Sequence, residues 1–334
     1  MGIIGYGYWG PNLVRNFMET PGAQVTWVSD MVESRLAQVK SRYPSIQTTT
    51  DFKELLGRND IDAVAIATPV STHFDLAMAA LVAGKHVLVE KPLSDSSEKA
   101  KLLIEEAAKR KLIIMVDHTF PFTGAVRKIQ EIVSSGQLGD VYYYDSVRVN
   151  LGLFQHDVNV IWDLAVHDLS ILDFIFTDKP VSVSATGIKH VPGKPENVAY
   201  LTLFFDKPII AHIHVNWLSP VKLRQTLIGG SQKMIVYDDL EQTEKIKIYD
   251  KGLTFANDEK NIYEMRVGYR NGDMWSPKLD GAEALGLMAK HFVHCVATGE
   301  KPITSADSGL RIVRILEAAT KSMNQFGRLI ELKN

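Results

Sequence analysis

Five short apolar runs, separated by helical segments, fill the first 118 residues and leave few folds open to this chain. The runs are GIIGYG (2–7), AQVTWVSD (23–30), DAVAIATP (62–69), HVLVEKP (86–92) and LIIMVDH (112–118). Between them, stretches near 10–19, 33–43, 51–57, 72–84 and 94–110 read as helices. The runs are almost wholly apolar rather than alternating, which is what a strand needs when helices cover both faces of its sheet. Strand and helix in strict alternation therefore predict an α/β fold with a parallel, doubly wound (Rossmann) sheet.

After residue 119 the pattern changes. A helix is expected at 122–135, a strand at 140–150 and a helix at 160–176. Strand-like stretches follow at 180–189, 197–206, 209–217, 222–228, 232–237 and 244–249. Consecutive strands on short connections predict a second α/β domain with an open, mainly antiparallel sheet. Two helices near 282–298 and 306–326 and a short strand at 328–332 close the chain, while 250–281, rich in Gly, Asp and Asn, reads as loop. The expected division is 1–119 for the first domain and 120–334 for the second, a size that gives each its own core.

Composition narrows the function classes. A hydrophobic content of 46% with 23% charged residues is that of a soluble globular protein. The net charge of −2 gives no bulk attraction to nucleic acid or to an anionic membrane surface. No apolar run approaches the roughly 20 residues that span a bilayer. The single Cys295 excludes an intrachain disulfide and fits a reducing cytoplasm. The N-terminus lacks the basic flank and apolar stretch of a signal peptide. The first strand begins almost on Met1, so a short natural leader is expected before it.

Gly5, Gly7 and Gly10 form G-x-G-x-x-G between the first strand and the first helix. In that setting the first glycine permits the tight turn, the second lets a pyrophosphate approach the backbone, and the third lets helix and strand pack closely. The helix N-terminus then aims its unpaired N–H groups at the phosphates. Pro11 sits where a first helical turn tolerates proline. Asp30 ends the second strand, twenty residues past Gly10, where a carboxylate accepts the adenosine ribose hydroxyls and repels a 2′-phosphate. NAD is expected over NADP; the competing reading is that Asp30 only caps the next helix. Tyr8 and Trp9 read as cover for the cofactor or its neighbour, and Arg35 is grouped with the cofactor residues.

Two further features carry chemistry. HVLVEKPLS places Glu90, Lys91 and Pro92 just past a strand's C-terminal end, the edge at which ligands bind in open α/β sheets. Pro92 restricts Lys91 to an extended backbone, and a cation held there can stabilise charge developing on a substrate oxygen. Spacing alone leaves open an ordinary solvated Glu–Lys pair. IWDLAVHDL puts Asp163 and His167 four apart on one helical face. A carboxylate one turn below a histidine orients the ring and stabilises its protonated form, as a general base requires; a satisfied, half-buried histidine fits equally well. His291, His294 and Cys295 share a helix, but they lack a fourth ligand at standard spacing, so no metal site is expected. His212 and His214 alternate with Ile213 and Val215 and are expected to face solvent or a subunit contact.

Taken together these segments resemble the Gfo/Idh/MocA oxidoreductase family. The likeness runs through GIIGYGYWG, ATPVSTHFDLAMAALVAGKHVLVEKPLS, SSGQLGDV, WDLAVHDL and KHFVHCVATGEKPITSADSGLRIVRILEAATKS. It implies a Rossmann domain followed by an α/β domain with an open sheet. It also implies Lys91, Asp163 and His167 as the catalytic group, with His167 as base and the Lys91–Pro92 bond often cis. By the same likeness Thr68, Pro69 and His73 lie along the cofactor and Glu90 near the nicotinamide ribose. Many relatives carry Asn and Arg after the fifth strand. Here His118 and Thr119 stand there, with Pro121 at the arginine's place, so substrate contacts do not carry over. The stretch around RVNLG looks most like members of nucleotide-sugar and polysaccharide pathways, and Arg148, Asn150 and Asn159, with His118, are candidates for a sugar pocket. The expected activity is hydride transfer between NAD and a sugar, with a nucleotide sugar ahead of inositol or a free sugar. A catalytically silent NAD-binding regulator is the reading from another class. A homodimer or homotetramer through the second sheet is expected.

Overall fold

In the computed structural model, which describes residues 1–152, 158–255 and 267–332, the chain divides into two units. The first comprises Met1–Thr123 and Ala282–Glu317, the second Gly124–Gly281 and Ala318–Asn334.

Six parallel strands form the first unit's sheet: β1 (Gly2–Ile4), β2 (Trp27–Ser29), β3 (Gln47–Thr49), β4 (Ala63–Ile66), β5 (His86–Glu90) and β6 (Ile114–Asp117). Their order is β3-β2-β1-β4-β5-β6, the doubly wound arrangement the sequence predicts. Helices α1 (Gly10–Met18), α2 (Glu33–Arg42), α3 (Phe52–Leu56), α4 (His73–Val82) and α5 (Ser97–Arg110) make the crossovers. Ile3, Val64, Ala65, Ile66, Val87 and Val89 are fully buried, which accounts for the unbroken apolar runs. Local signals fix several helix starts: the Asp51 and Ser96 side chains accept the N–H groups of Lys53 and Lys99 at the first turns of α3 and α5. The edge strand β3 escapes a reading based on apolar runs, because Gln47, Thr48 and Thr49 are polar, with Gln47 exposed and the two threonines half-buried.

The second unit begins with α6 (Gly124–Ser134) and β7 (Val141–Leu151), and a π-helical turn at Ile161–Ala165 leads into α7 (Val166–Ile175). Then come β8 (Ser182–Ile188), β9 (Val198–Phe204), β10 (Ile210–Asn216), β11 (Leu218–Gly230), β12 (Met234–Asp238) and β13 (Ile246–Tyr249). A separate hairpin pairs β14 (Gly252–Phe255) with β15 (Val267–Arg270), and β16 (Met274–Trp275) follows. The region 250–281, read as loop from its composition, thus contains three short strands; its residues 256–266 lie outside the described residues. After α8 (Ala284–Thr298) and α9 (Ala306–Met323), β17 (Ile330–Glu331) completes a nine-stranded sheet of order β16-β13-β12-β11-β7-β10-β9-β8-β17. Its pairings are antiparallel except β7 with β10, which is parallel. On β9 and β10 the residues alternate: Ala199, Leu201, Leu203, Ala211, Ile213 and Val215 are buried, while Tyr200, Phe204 and His212 are exposed.

The unit boundary differs from the expected division at 119/120, since residues 282–317 group with the first unit. The physical reason is packing. Leu285, Met288, Ala289 and Phe292 of α8 share a core with Leu13, Val14 and Phe17 of α1. The Phe17 and Phe292 rings meet edge-on, 6.0 Å apart, and Arg15 donates to both carboxylate oxygens of Glu283 at 2.9 and 2.5 Å. Among the described residues no helix is long and apolar enough to cross a membrane.

Candidate active site

β1 and β4 are neighbours at the point where the strand order reverses, and the turns after β1, β4 and β5 carry Gly5, Thr68 and Lys91. The glycine loop divides its labour as the spacing predicts. Gly5 has φ +96°, and a Cβ there would lie 2.4 Å from the Ala67 carbonyl oxygen, so neither backbone nor space admits a side chain. A Cβ on Gly10 would strike the Gly5 carbonyl at 2.3 Å, which is the close helix–strand packing expected of the third glycine. Gly7 is different. A Cβ there would meet nothing nearer than Arg35 Nη1 at 3.8 Å, so the loop keeps open ground at the position that the motif reserves for a pyrophosphate. Gly7→Ala should therefore leave the melting temperature within about 2 °C of the parent. It should weaken NAD binding by roughly tenfold or more, since the methyl fills the cradle. Calorimetric titration beside a thermal melt checks both halves.

Asp30 follows β2 and is almost fully buried. Its Oδ2 accepts the Tyr6 N–H of the glycine loop at 2.7 Å, and its Oδ1 accepts the Val32 N–H at 2.8 Å. The carboxylate ties down the turn into α2, which is one of the two readings the sequence offered for it. Arg35 lies against it, Nη1 to Oδ2 at 3.3 Å. These residues fit the adenosine half of NAD.

His73, expected along the cofactor, is engaged with the two loops around it. It is 1% exposed, and its ring bridges two loops, with Nδ1 2.8 Å from the Pro92 carbonyl oxygen and Nε2 2.9 Å from that of Thr68. It therefore fastens the turn bearing Lys91 to the loop bearing Thr68 and Pro69. Thr72 extends the fastening, donating its hydroxyl to Thr68 Oγ1 at 2.7 Å or to the Pro69 carbonyl at 2.8 Å. Burial pulls the His73 pKa below its ordinary 6.5, against the two carbonyls, which favour the charged ring. The folded protein thus takes up this proton less readily than the unfolded chain. Stability from the buried neutral ring is present above pH 6.5 and is lost as the pH falls below it. The parent's melting temperature should decline more steeply between about pH 7.5 and 5.5 than that of His73→Gln. Parallel slopes would exclude a buried neutral His73. His86, whose pKa burial also lowers, is common to both proteins.

Lys91 stands on the turn after β5, its peptide bond to Pro92 is cis as the family likeness implies, and its backbone N–H donates to Glu90 Oε2 at 2.9 Å. Next to Glu90 lies a residue that sequence reasoning passed over, Asp117 at the end of β6. Asp117 is 2% exposed and accepts the Trp9 indole N–H at 2.9 Å. That bond turns Trp9 inward from the glycine loop, whereas Tyr8 is 91% exposed. Burial pushes the Glu90 carboxyl well above the ordinary range, helped by the neighbouring Asp117 charge, and burial also raises Asp117. His118, at the end of the same strand, is buried.

In the second unit Asp163 lies in the π-helical turn and His167 in the first turn of α7, both half-buried. A π-turn widens the helix locally and is frequent at functional sites. Asp163 Oδ2 accepts the indole N–H of Trp217 at 3.0 Å. Trp217 is fully buried between β10 and β11 and had no sequence signal beyond being an isolated tryptophan. It fixes the carboxylate one helical turn from the imidazole, the arrangement that orients a general base.

Two of the candidate sugar contacts have other tasks. Arg148 is 3% exposed and forms a buried, two-pronged ion pair with Asp168, Nε to Oδ2 at 2.7 Å and Nη2 to Oδ1 at 3.2 Å, joining β7 to α7. Asn159 caps the π-turn, its Oδ1 accepting the N–H groups of Ile161 and Trp162 at 3.1 and 3.3 Å. The sequence motif placed them near the site; their polar groups are used to hold the elements that carry Asp163 and His167. Asn150 is half-buried near the end of β7. The His291, His294 and Cys295 group is engaged locally: His291 Nε2 accepts the Ile303 N–H at 2.9 Å, and His294 pairs with Glu300 at 2.8 Å.

Both units of the chain are similar to known proteins. Residues 1–118 match the oxidoreductase family with an NAD-binding Rossmann fold, and residues 126–236 match the GFO/IDH/MocA C-terminal domain. A scyllo-inositol 2-dehydrogenase (NAD(+)) of Bacillus subtilis is 27% identical, over 96% of this chain and 92% of its own. A UDP-N-acetylglucosamine 3-dehydrogenase of Acidithiobacillus ferrooxidans is 29% identical, over 93% of this chain and 96% of its own. A crystal structure of the Acidithiobacillus enzyme superposes with a TM-score of 0.82 at 24% identity, covering 97% of each chain. An Agrobacterium radiobacter oxidoreductase in complex with NAD+, L-tartaric acid and magnesium gives 0.81 at 20% identity, covering 99% of this chain and 97% of its own.

Proposed function

Since the chain belongs to the Gfo/Idh/MocA oxidoreductase family and carries its NAD-binding Rossmann domain, we propose that it oxidises or reduces a secondary alcohol or ketone of a nucleotide sugar. The observation that carries this reading is the Lys91 turn, held from both sides by Glu90 and His73 at the edge of a glycine-cradled cofactor sheet. Full-length likeness to a UDP-N-acetylglucosamine 3-dehydrogenase supports the substrate class. Gly7 and Asp30 hold the pyrophosphate and the adenosine ribose of NAD, which when bound supplies the hydride acceptor. Lys91 donates a hydrogen bond to the substrate oxygen and steadies the charge that develops there. His167 takes the hydroxyl proton in the oxidative direction, and Asp163, itself fixed by Trp217, keeps the ring oriented. His118 and Asn150 are the remaining candidates for contacts to the sugar.

A second reading, an inositol dehydrogenase using the same residues, is favoured by full-length likeness to the inositol enzyme. The exposed Tyr200, Phe204 and His212 face of the second sheet supports association of two or four copies. Mass spectrometry of small molecules retained by the purified protein tests the substrate class. The nucleotide-sugar reading expects a nucleoside diphosphate sugar together with NAD or NADH; an inositol retained in its place would shift the assignment to the second reading.

A further inference from the structure

Glu90 ends β5, Asp117 ends β6, and the two are direct partners in the parallel register. Side by side in that register, the two carboxyl groups interact directly, and a hydrogen bond between them needs a proton on one. Two carboxylates this close cannot both ionise at modest cost, so the pair titrates as a unit. The surroundings decide where the charge goes. Asp117 accepts the Trp9 indole N–H at 2.9 Å and the Thr119 hydroxyl at 3.0 Å, two donors that favour an anion. Glu90 accepts the Lys91 backbone N–H at 2.9 Å with one oxygen, leaving its protonated oxygen for Asp117. Burial raises both carboxyls, and Glu90 the further. The charged group facing both is Lys91, which favours the anion; His73 faces Lys91 in turn, with Asp95 beyond it.

We propose that Glu90 and Asp117 act as a single one-proton unit, with the charge on Asp117, that positions Lys91 and locks its turn to the glycine loop through Trp9. Asp117 is a positioning residue, since it reaches Lys91 through Glu90 and the cofactor loop through Trp9. The unit leaves one negative charge opposite the lysine, where two ionised carboxylates would draw the ammonium away from a substrate. Its part in turnover rests on the reading of Lys91 as the group at the substrate oxygen; the proton sharing does not.

Amide substitutions separate the charge from the shape. In Asp117→Asn, the new amide can donate to Glu90 and its oxygen can still accept from Trp9, so the charge moves to Glu90. In Glu90→Gln, the amide donates to Asp117 and its oxygen still accepts the Lys91 N–H, so the charge stays on Asp117. The double variant keeps the volume and has no charge.

The experiment is carbon-13 NMR titration of the side-chain carboxyls in the full chain, together with steady-state kinetics of the same variants. In the parent, the Glu90 carboxyl should still be protonated at neutral pH. In Asp117→Asn it should titrate at lower pH than in the parent, since the neighbouring charge is gone, while burial still holds it above the ordinary glutamate range. Each single variant should lower kcat by less than about tenfold, and the double variant by more than about a hundredfold, beyond the product of the singles. Thermal melts within about 3 °C of the parent would show that the fold survives in all three. The proposal is overturned if both carboxyls of the parent titrate in the ordinary range, or if Glu90 titrates in Asp117→Asn at the same pH as in the parent. It is also overturned if the double variant loses no more than the product of the singles. Full turnover by Lys91→Met would defeat the assignment of Lys91, while the parent's carboxyl titration would still report the shared proton.

Discussion

Lys91→Met should lower kcat by about a hundred- to a thousandfold while changing the dissociation constant of NAD by less than about fivefold. Methionine keeps the length and apolar volume of the lysine stem and removes the charge, so the loss reads the interaction with the reacting oxygen. The backbone supports on either side are untouched, because the Lys91 N–H to Glu90 bond and the Pro92 carbonyl to His73 bond are main-chain contacts. Lys91→Arg should fare little better, since a planar fork does not replace a compact ammonium on so constrained a turn. Rapid-quench measurement of the first turnover, beside NAD titration by protein fluorescence, separates the chemical step from binding. Equal losses in NAD affinity and turnover would count against the role.

His167→Ala carries the second large effect. Removing a general base costs typically a hundred- to ten-thousandfold, and kcat should fall within that range with the fold intact. Asp163 remains anchored by Trp217 in this variant, so the π-turn and the start of α7 keep their geometry. Small bases such as imidazole, added at high concentration, should restore part of the lost activity by occupying the vacated space. A variant turning over at more than about a tenth of the parental rate would place the proton elsewhere.

The parts of this molecule legible from sequence are those where a local chemical demand fixes the residue. Gly5 is required by its own φ of +96° and by the Ala67 carbonyl, and Gly10 by the Gly5 carbonyl. Asp30 is required by position at a strand end, and the buried strands announced themselves because both faces of the sheet are covered. What stayed hidden depends on long-range contact. The edge strand β3 has no apolar signal, and the membership of α8 in the first unit rests on Phe292 meeting Phe17, 275 residues away. Asp117 looked like one residue of an apolar strand, and its importance emerges only when Glu90 and Trp9 are brought beside it. Arg148 and Asn159 drew attention as polar residues near a histidine motif, and in the folded chain they support that motif from behind. His73 likewise stands beneath the cofactor loops and holds them together.

The most direct test of the central claim follows a single hydrogen. The purified chain is incubated with NAD and a UDP-N-acetylhexosamine deuterated on its ring carbons, and the recovered dinucleotide and sugar are weighed by mass spectrometry. Deuterium on the nicotinamide ring, matched one for one by a keto sugar and abolished in Lys91→Met and His167→Ala, is the result expected. No transfer from this substrate, nor from deuterated inositols or free sugars tested alongside it, would contradict the assignment of the chain as an NAD-dependent sugar or cyclitol dehydrogenase.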